Sequence, residues 1–360
     1  MFSLLRSRPL RSALLASILA LGGLFAVEAP AHAAIAFECK TTTISCISFS
    51  GYAGKSVWGY PVNSSGNNCV NYAAYRLAKN GVANPGNLGN GGAWAANARA
   101  KGFRVDQTPA VGSIAEWNYG SYYAPSSGHV AYVEEVTSSY IAFSDSNWSG
   151  TSRRWTVTKG DPNYPSNFIH FKDQAYQPPP SGTFIRVRET KQILRLVGKT
   201  PVYVSTWNAF GGPKPWIAVS ATSLATLPTK ITNGAFVQGG QTHEIYRVAG
   251  GAPIYVKSWS SVGGPQRYTT IDQVAIDRAA TGGVYNRVNK VPATTTYVGA
   301  RASTTAPVEI YAVAQGKAAL LTSWASVGGA KPWTLVDRAA LVHAGEAGKW
   351  SHVLAVTPDL

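Results

Sequence analysis

The sequence predicts an α+β unit followed by an all-β array, and three observations predict it. Upstream of the run Gln177-Pro178-Pro179-Pro180-Ser181-Gly182, one clear helical spacing sits among several short strand-like runs. Downstream, helix signals nearly vanish, and β-branched and aromatic residues alternate between glycine-rich turns. The downstream half also repeats itself. These marks divide the chain into a leader (1–33), an α+β unit (34–176), a proline-rich linker (177–181) and a β domain (182–360).

The leader comes first. Arg6, Arg8 and Arg11 form a basic start, an apolar stretch runs from Ala13 to Val27, and Ala31-His32-Ala33 places small residues where a signal peptidase reads. That is a secretory signal, too short and wrongly flanked for a permanent span. The mature chain is expected to be exported, extracellular or associated with the cell wall. No later run is apolar enough to cross a bilayer.

Export sets the reading of the three cysteines. Cys39 and Cys46 lie close together after the leader and can staple the mature N-terminus, leaving Cys69 unpaired. Sequence alone leaves other connectivities open, including one in which Cys69 is structural.

The helix begins at Cys69. Val70, Ala73, Ala74 and Leu77 recur at helical spacing, and Asn67 or Asn68 is a natural N-cap. Cys69 then sits in the first turn, where the positive end of the helix favours a thiolate. Free amides at a helix start make the Cys69 N–H a candidate oxyanion donor, with the Asn68 side chain as a second; helix capping alone also explains Asn68.

The next element is a hairpin. His129–Val136 reads as a strand, Thr137-Ser138-Ser139 as a turn, and Tyr140–Asn147 as the returning strand. If Val136 faces Tyr140, His129 falls opposite Asn147 and Ala131 opposite Asp145, so His129, Asp145 and Asn147 project together. A one-residue slip brings Ser146 or Trp148 there instead. Glu134 points to the other face and Glu135 lies too far along the strand to orient the imidazole. A helix-start thiol, a strand histidine and a polar partner are the elements of nucleophile, base and orienter. His170 reads as structural, and no histidine has neighbours at metal-ligand spacing, so neither metal nor cofactor is expected.

Beyond the linker, Pro201-Val202-Tyr203-Val204-Ser205-Thr206-Trp207 recurs as Pro253-Ile254-Tyr255-Val256-Lys257-Ser258-Trp259, and more weakly as Ala319-Leu320-Leu321-Thr322-Ser323-Trp324. Each copy leads to a glycine pair, which gives three copies of roughly fifty to sixty-five residues. They fit either closure into a pseudo-threefold β structure or modules in line; closure is the reading taken.

The ordered motifs around Cys69, His129 and Asp145-Ser146-Asn147, with the Pro109–Ala115 turn and Phe168-Ile169-His170, resemble the CHAP family of cysteine- and histidine-dependent amidohydrolases and peptidases. The resemblance runs from about Gly51 to Lys172. It implies a papain-like α+β fold and cleavage of peptidoglycan amide bonds, either sugar-to-peptide or within the peptide. It puts the nucleophile on Cys69, the base on His129 and the orienter on Asp145 or Asn147. Aspartate stands where the family commonly has glutamate. The repeats more loosely resemble modules of secreted bacterial wall hydrolases, which implies wall targeting with glycans stacked on Trp207, Trp259 or Trp324; the same recurrence also reads as core.

The net charge of +15 is dispersed along the chain rather than blocked into runs. In an exported protein it fits anionic wall polymers or acidic headgroups as partners. No nucleic-acid motif is present, so nucleic acid is not expected. The competing readings are a wall-binding or adhesion protein without turnover, and an amidase acting on a different amide.

Overall fold

The computed structural model describes residues 35–357, apart from Tyr122 and Pro125. The leader expected over residues 1–33 lies outside them. The upstream unit consists of β1 (Ile35–Thr41), α1 (Cys69–Lys79), α2 (Trp94–Ala100), β2 (Arg104–Asp106), β3 (Ile114–Trp117), β4 (His129–Val136), β5 (Tyr140–Trp148), β6 (Thr151–Thr158) and β7 (Asn167–His170). Its strands form one sheet in the order β1-β6-β5-β4-β3-β7-β2, with every pairing antiparallel.

Strand alternation builds two cores on this sheet. Val130, Tyr132, Ile114 and Ile169 pack against Val70, Ala73, Ala74 and Leu77 of α1 and against Trp94, Ala95 and Ala98 of α2. Ala131, Val133, Ala115, Trp117, Phe143, Trp155 and Phe168 fill the second core. The helix predicted after Asn68 forms because its apolar positions share one face and Asn68 caps it. Cys39 and Cys46 are joined by a disulfide between β1 and the turn after it.

The central hairpin departs from the expected register only beside its turn, and regains it at Val133 and Tyr132. Val136 pairs with Ile141 rather than Tyr140, and a bulge at Glu134 absorbs the extra residue, so Tyr132 meets Ser144. The bulge has a physical cause: Glu134 leaves the ladder to pair with Arg76 of α1 and to accept from Ser144 Oγ at 2.5 Å.

Downstream are three small sheets. The first contains β8 (Phe184–Val187), β9 (Ile193–Val197), β10 (Thr200–Tyr203) and β11 (Trp216–Val219), followed by the short helix α3 (Ala221–Ala225). The second contains β12 (Phe236–Gly239), β13 (Ile245–Ala249), β14 (Ala252–Val256) and β15 (Thr269–Ile271), followed by α4 (Gln273–Asp277). The third contains β16 (Thr296–Arg301), β17 (Val308–Ala314), β18 (Lys317–Leu320) and β19 (Thr334–Leu335), with α5 (Arg338–Val342) and an extra strand, β20 (Ala355–Thr357). In each, the first three strands form an antiparallel meander and the fourth returns parallel to the first.

The contacts between these sheets run in line, which corrects the expected pseudo-threefold closure. Asp272 caps α4 with Oδ1 and reaches back with Oδ2 to the amides of Ser205 (2.6 Å) and Thr206 (3.2 Å). Asp337 does the same one sheet later, accepting from the amides of Lys257 (2.8 Å) and Ser258 (2.9 Å). One apolar cluster joins Val197 and Val202 to the second sheet, and another joins Ala249 and Ile254 to the third. No apolar cluster among the described residues joins first to third. Closure would need the cap position of the first sheet, Ser220, to face the third; its amide instead donates to Glu135 of β4, at 3.2 Å to each oxygen.

That contact belongs to a docked junction. Arg188, just after β8, pairs with both Glu38 and Glu135, Tyr140 Oη donates to Glu189 at 2.9 Å, and Arg154 reaches the Trp216 carbonyl at 3.3 Å. Tyr176, placed upstream of the linker by sequence, packs into the first small sheet's apolar cluster. The described residues 35–357 lie within a single compact unit. No helix among the described residues is long and apolar enough to cross a membrane.

Candidate active site

Cys69 is the first residue of α1, half-buried, and its thiol is free. The helix start is braced from two sides. Asn68 Oδ1 accepts from the Asn71 amide at 3.1 Å, and Ser146 Oγ of β5 accepts from the Asn68 amide at 3.1 Å. Ser146 also donates to buried Asn67 Oδ1 at 2.9 Å, tying the loop before α1 to the sheet. The Asn68 oxygen is thus engaged in capping.

His129 opens β4 and is 2 % exposed. Its placement depends on glycine. A Cβ on Gly91 would lie 2.8 Å from the His129 Cα, and one on Gly128, which sits at φ +64, would lie 2.2 Å from the Gly92 Cα. Only glycines let these two chain segments touch. The imidazole Nε2 lies 3.2 Å from Asp145 Oδ2. The Cys69 thiol is the imidazole's other polar partner. Burial pushes the imidazole pKa down, but hydrogen bonds to Asp145 and Cys69 outweigh it and hold the value above the ordinary one. The Trp117 and Trp148 rings flank the imidazole at centroid distances of 5.8 and 5.2 Å.

Asp145 is fully buried and carries more partners than sequence suggested. Arg153, directly opposite on β6, donates Nε to Oδ1 at 2.9 Å and Nη2 to Oδ2, and Trp155 Nε1 donates to Oδ2 at 2.9 Å. Burial alone would raise this carboxyl; Arg153 and His129 overcome it and bring the pKa down to about 2. Arg153 is itself fully buried and donates Nη1 to Tyr123 Oη at 2.6 Å, and Tyr123 stacks on Trp148 at 4.1 Å. Arg153, Trp155 and Tyr123 were not singled out from sequence, and Ser146 was named only as the outcome of a slipped register. The only available signal was register: Arg153 and Trp155 share the parity that faces Asp145 and Phe143 once β6 is paired.

Asn147 lies elsewhere. It sits at φ +62 in a bulge between β5 and β6, is exposed, and among the described residues makes no hydrogen bond to His129. The opposition expected from a regular ladder fails because β5 leaves the regular ladder beyond Asp145. The imidazole contact is Asp145's.

His170 is held between Asp106 (3.1 Å) and Asp173 (2.9 Å), away from this cluster of bonds. Among the described residues there is no group of three or more side chains suited to hold a metal ion. Trp207, Trp259 and Trp324 each open a 3₁₀ turn, and each is half-buried against an aromatic of its own sheet: Phe184 at 5.1 Å, Phe236 at 5.2 Å and Tyr297 at 5.4 Å.

The thiol, the imidazole and Asp145 lie within one stretch that is similar to known proteins. Residues 56–147 match the CHAP domain. This chain is 42 % identical over 81 residues to a putative hydrolase of Streptococcus mutans, covering 21 % of this chain and 34 % of that protein. It is 37 % identical over 101 residues to the probable autolysin LDP of Staphylococcus aureus, covering 27 % and 34 %. This chain thus spans about a third of the length of these curated relatives. A solved N-acetylmuramoyl-L-alanine amidase from Staphylococcus aureus aligns at 29 % identity and a TM-score of 0.26, over 29 % of this chain and 30 % of that one. The endolysin LysIME-EF1 aligns at 17 % identity and a TM-score of 0.22, over 50 % and 93 %.

Proposed function

We propose that this protein is a secreted peptidoglycan hydrolase that cleaves amide bonds through Cys69, His129 and Asp145. The observation that carries the reading is the free thiol at a helix start beside a buried imidazole whose Nε2 is held by a buried carboxylate. His129 takes the thiol proton, and the Cys69 sulfur attacks the amide carbonyl. The oxyanion that forms is met by the Cys69 amide, one of the first helix amides, which have no intrahelical acceptor. His129 returns the proton to the leaving amine, and water then releases the acyl group from sulfur. Asp145 keeps the imidazole oriented, and Arg153 keeps Asp145 ionised.

The three downstream sheets are read as copies of one module that targets the wall, with the open sides of Trp207, Trp259 and Trp324 as glycan-stacking candidates. In this reading residues 34–176 are the catalytic unit, 177–181 the linker and 182–360 the targeting array. The positive charge adds attraction to anionic wall polymers.

The test is digestion of purified peptidoglycan, with new termini identified by mass spectrometry. A new amine on the alanine that was attached to muramic acid means an amidase; a cut between amino acids means an endopeptidase. Absence of any new terminus with folded, thiol-active protein refutes the proposal.

A further inference from the structure

Arg195 of β9 and Arg247 of β13 occupy the same place in successive sheets, each directly across the ladder from the first-strand aromatic, Phe184 or Phe236. Each guanidinium lies over that ring, at 4.6 and 4.9 Å. Both are half-buried, and both Nε atoms are buried with no hydrogen-bond partner among the described residues. Neither arginine has an ion pair among the described residues, in contrast to Arg76, Arg153 and Arg188, which are each held by carboxylates. Each lines a cavity, of about 440 Å³ beside Arg195 and about 640 Å³ beside Arg247, and neither lining contains an acidic residue. A second cation stands in each: Lys214 in the first and Arg267 in the second. Burying a guanidinium without a counter-charge is costly, and desolvation is the sole influence on both side chains, pulling their pKa values down. The third sheet lacks the feature, since Ala312 stands opposite Tyr297.

We infer that the Arg195 and Arg247 grooves are paired binding sites for oxyanion groups repeated along a linear polymer, each anion held by a guanidinium fork on an aromatic floor with Lys214 or Arg267 beside it. This rests on the wall-targeting reading and narrows it to two sites on the first two sheets. Two sites one module apart bind such a chain bivalently.

The test uses the full-length protein and three immobilised polymers: poly(glycerol phosphate), polygalacturonate and neutral dextran. The first two share the repeated monoanion and differ in its source, phosphodiester or carboxylate. Wild type is expected to bind at least one of them and to ignore dextran; which one it binds identifies the source. R195Q or R247Q alone should weaken binding about tenfold, the size of one charged hydrogen-bonding group. The double variant should lose about a hundredfold or more. K257Q/K317Q removes the same charge from exposed lysines and should change binding less than threefold or so. Equal losses in the two double variants mean diffuse attraction and overturn the sites. Should R195Q/R247Q fail to fold, R195K/R247K keeps the charge and loses the fork; several-fold weaker binding supports the sites, unchanged binding overturns them. Wild type that sediments with wall material but binds neither polyanion also overturns them, while leaving wall targeting intact.

Discussion

Replacing Arg153 with Met removes the charge that keeps Asp145 ionised while filling much of the same volume. Both groups are fully buried, so solvent does not screen the loss. Breaking such a pair by deleting one partner costs about 3–5 kcal/mol, because the other charge is left stranded. At about 2–4 °C per kcal/mol, the melting temperature should fall by roughly 6–20 °C. The pH dependence gives a second reading. Asp145 has a folded pKa of about 2, below its ordinary 3.8. Its contribution to stability is therefore present above the unfolded value and lost as pH falls through the folded one. Without Arg153 the folded value rises toward or above the unfolded one, so the acid destabilisation linked to Asp145 should shrink or reverse in the variant. Melting curves from neutral to strongly acidic pH measure both effects, and peptidoglycan hydrolysis by the folded variant measures what Asp145 loses as an orienter. A variant that melts within about 2 °C of wild type, with the same acid profile, refutes the argument that this guanidinium holds the carboxylate.

Asp145→Ala is predicted to cut hydrolysis by orders of magnitude while Asn147→Ala changes it little, since only Asp145 touches the imidazole; equal losses in a rate assay would place the orienter wrongly. His352 is buried and its pKa is pulled down to about 4 from 6.5. The unfolded chain therefore takes up a proton before the folded one does, and stability should fall with pH between those values, a loss that His352→Gln should remove from the melting profile. Asp272→Ala and Asp337→Ala each strip a helix cap and a reach-back to the preceding sheet, and should cost about 1–3 kcal/mol each in chemical unfolding. Arg188→Ala leaves Glu135 buried and unpaired, and should expose the segment from Pro178 to Gly182 to limited proteolysis that wild type resists.

The residues that form local bonds were legible in the sequence, and those set by long-range register were not. The α1 helix announces itself through Val70, Ala73, Ala74 and Leu77, whose spacing needs no tertiary information. The proposed nucleophile follows from its place at that helix start. The hairpin was legible as two strands and a turn, yet its pairing turned on where bulges fall. Glu134 leaves the ladder because Arg76, distant in sequence, offers a partner. Asn147 moves out of the ladder because β5 bulges against β6. Arg153 looks like one more basic residue until β6 is paired with β5. The module recurrence was visible as text, but in-line packing depends on Asp272 and Asp337 reaching the sheet before them, and on Glu135 filling the place where closure would begin.

The central claim is that the Cys69 thiol breaks a peptidoglycan amide bond. The most direct measurement compares the rate at which wild type and Cys69→Ala release new amino termini from purified peptidoglycan, with matching circular dichroism spectra for the two proteins. The account predicts steady release by wild type, its abolition in Cys69→Ala, and its abolition in wild type after iodoacetamide adds one group at Cys69. Release that persists in the folded Cys69→Ala protein would contradict it.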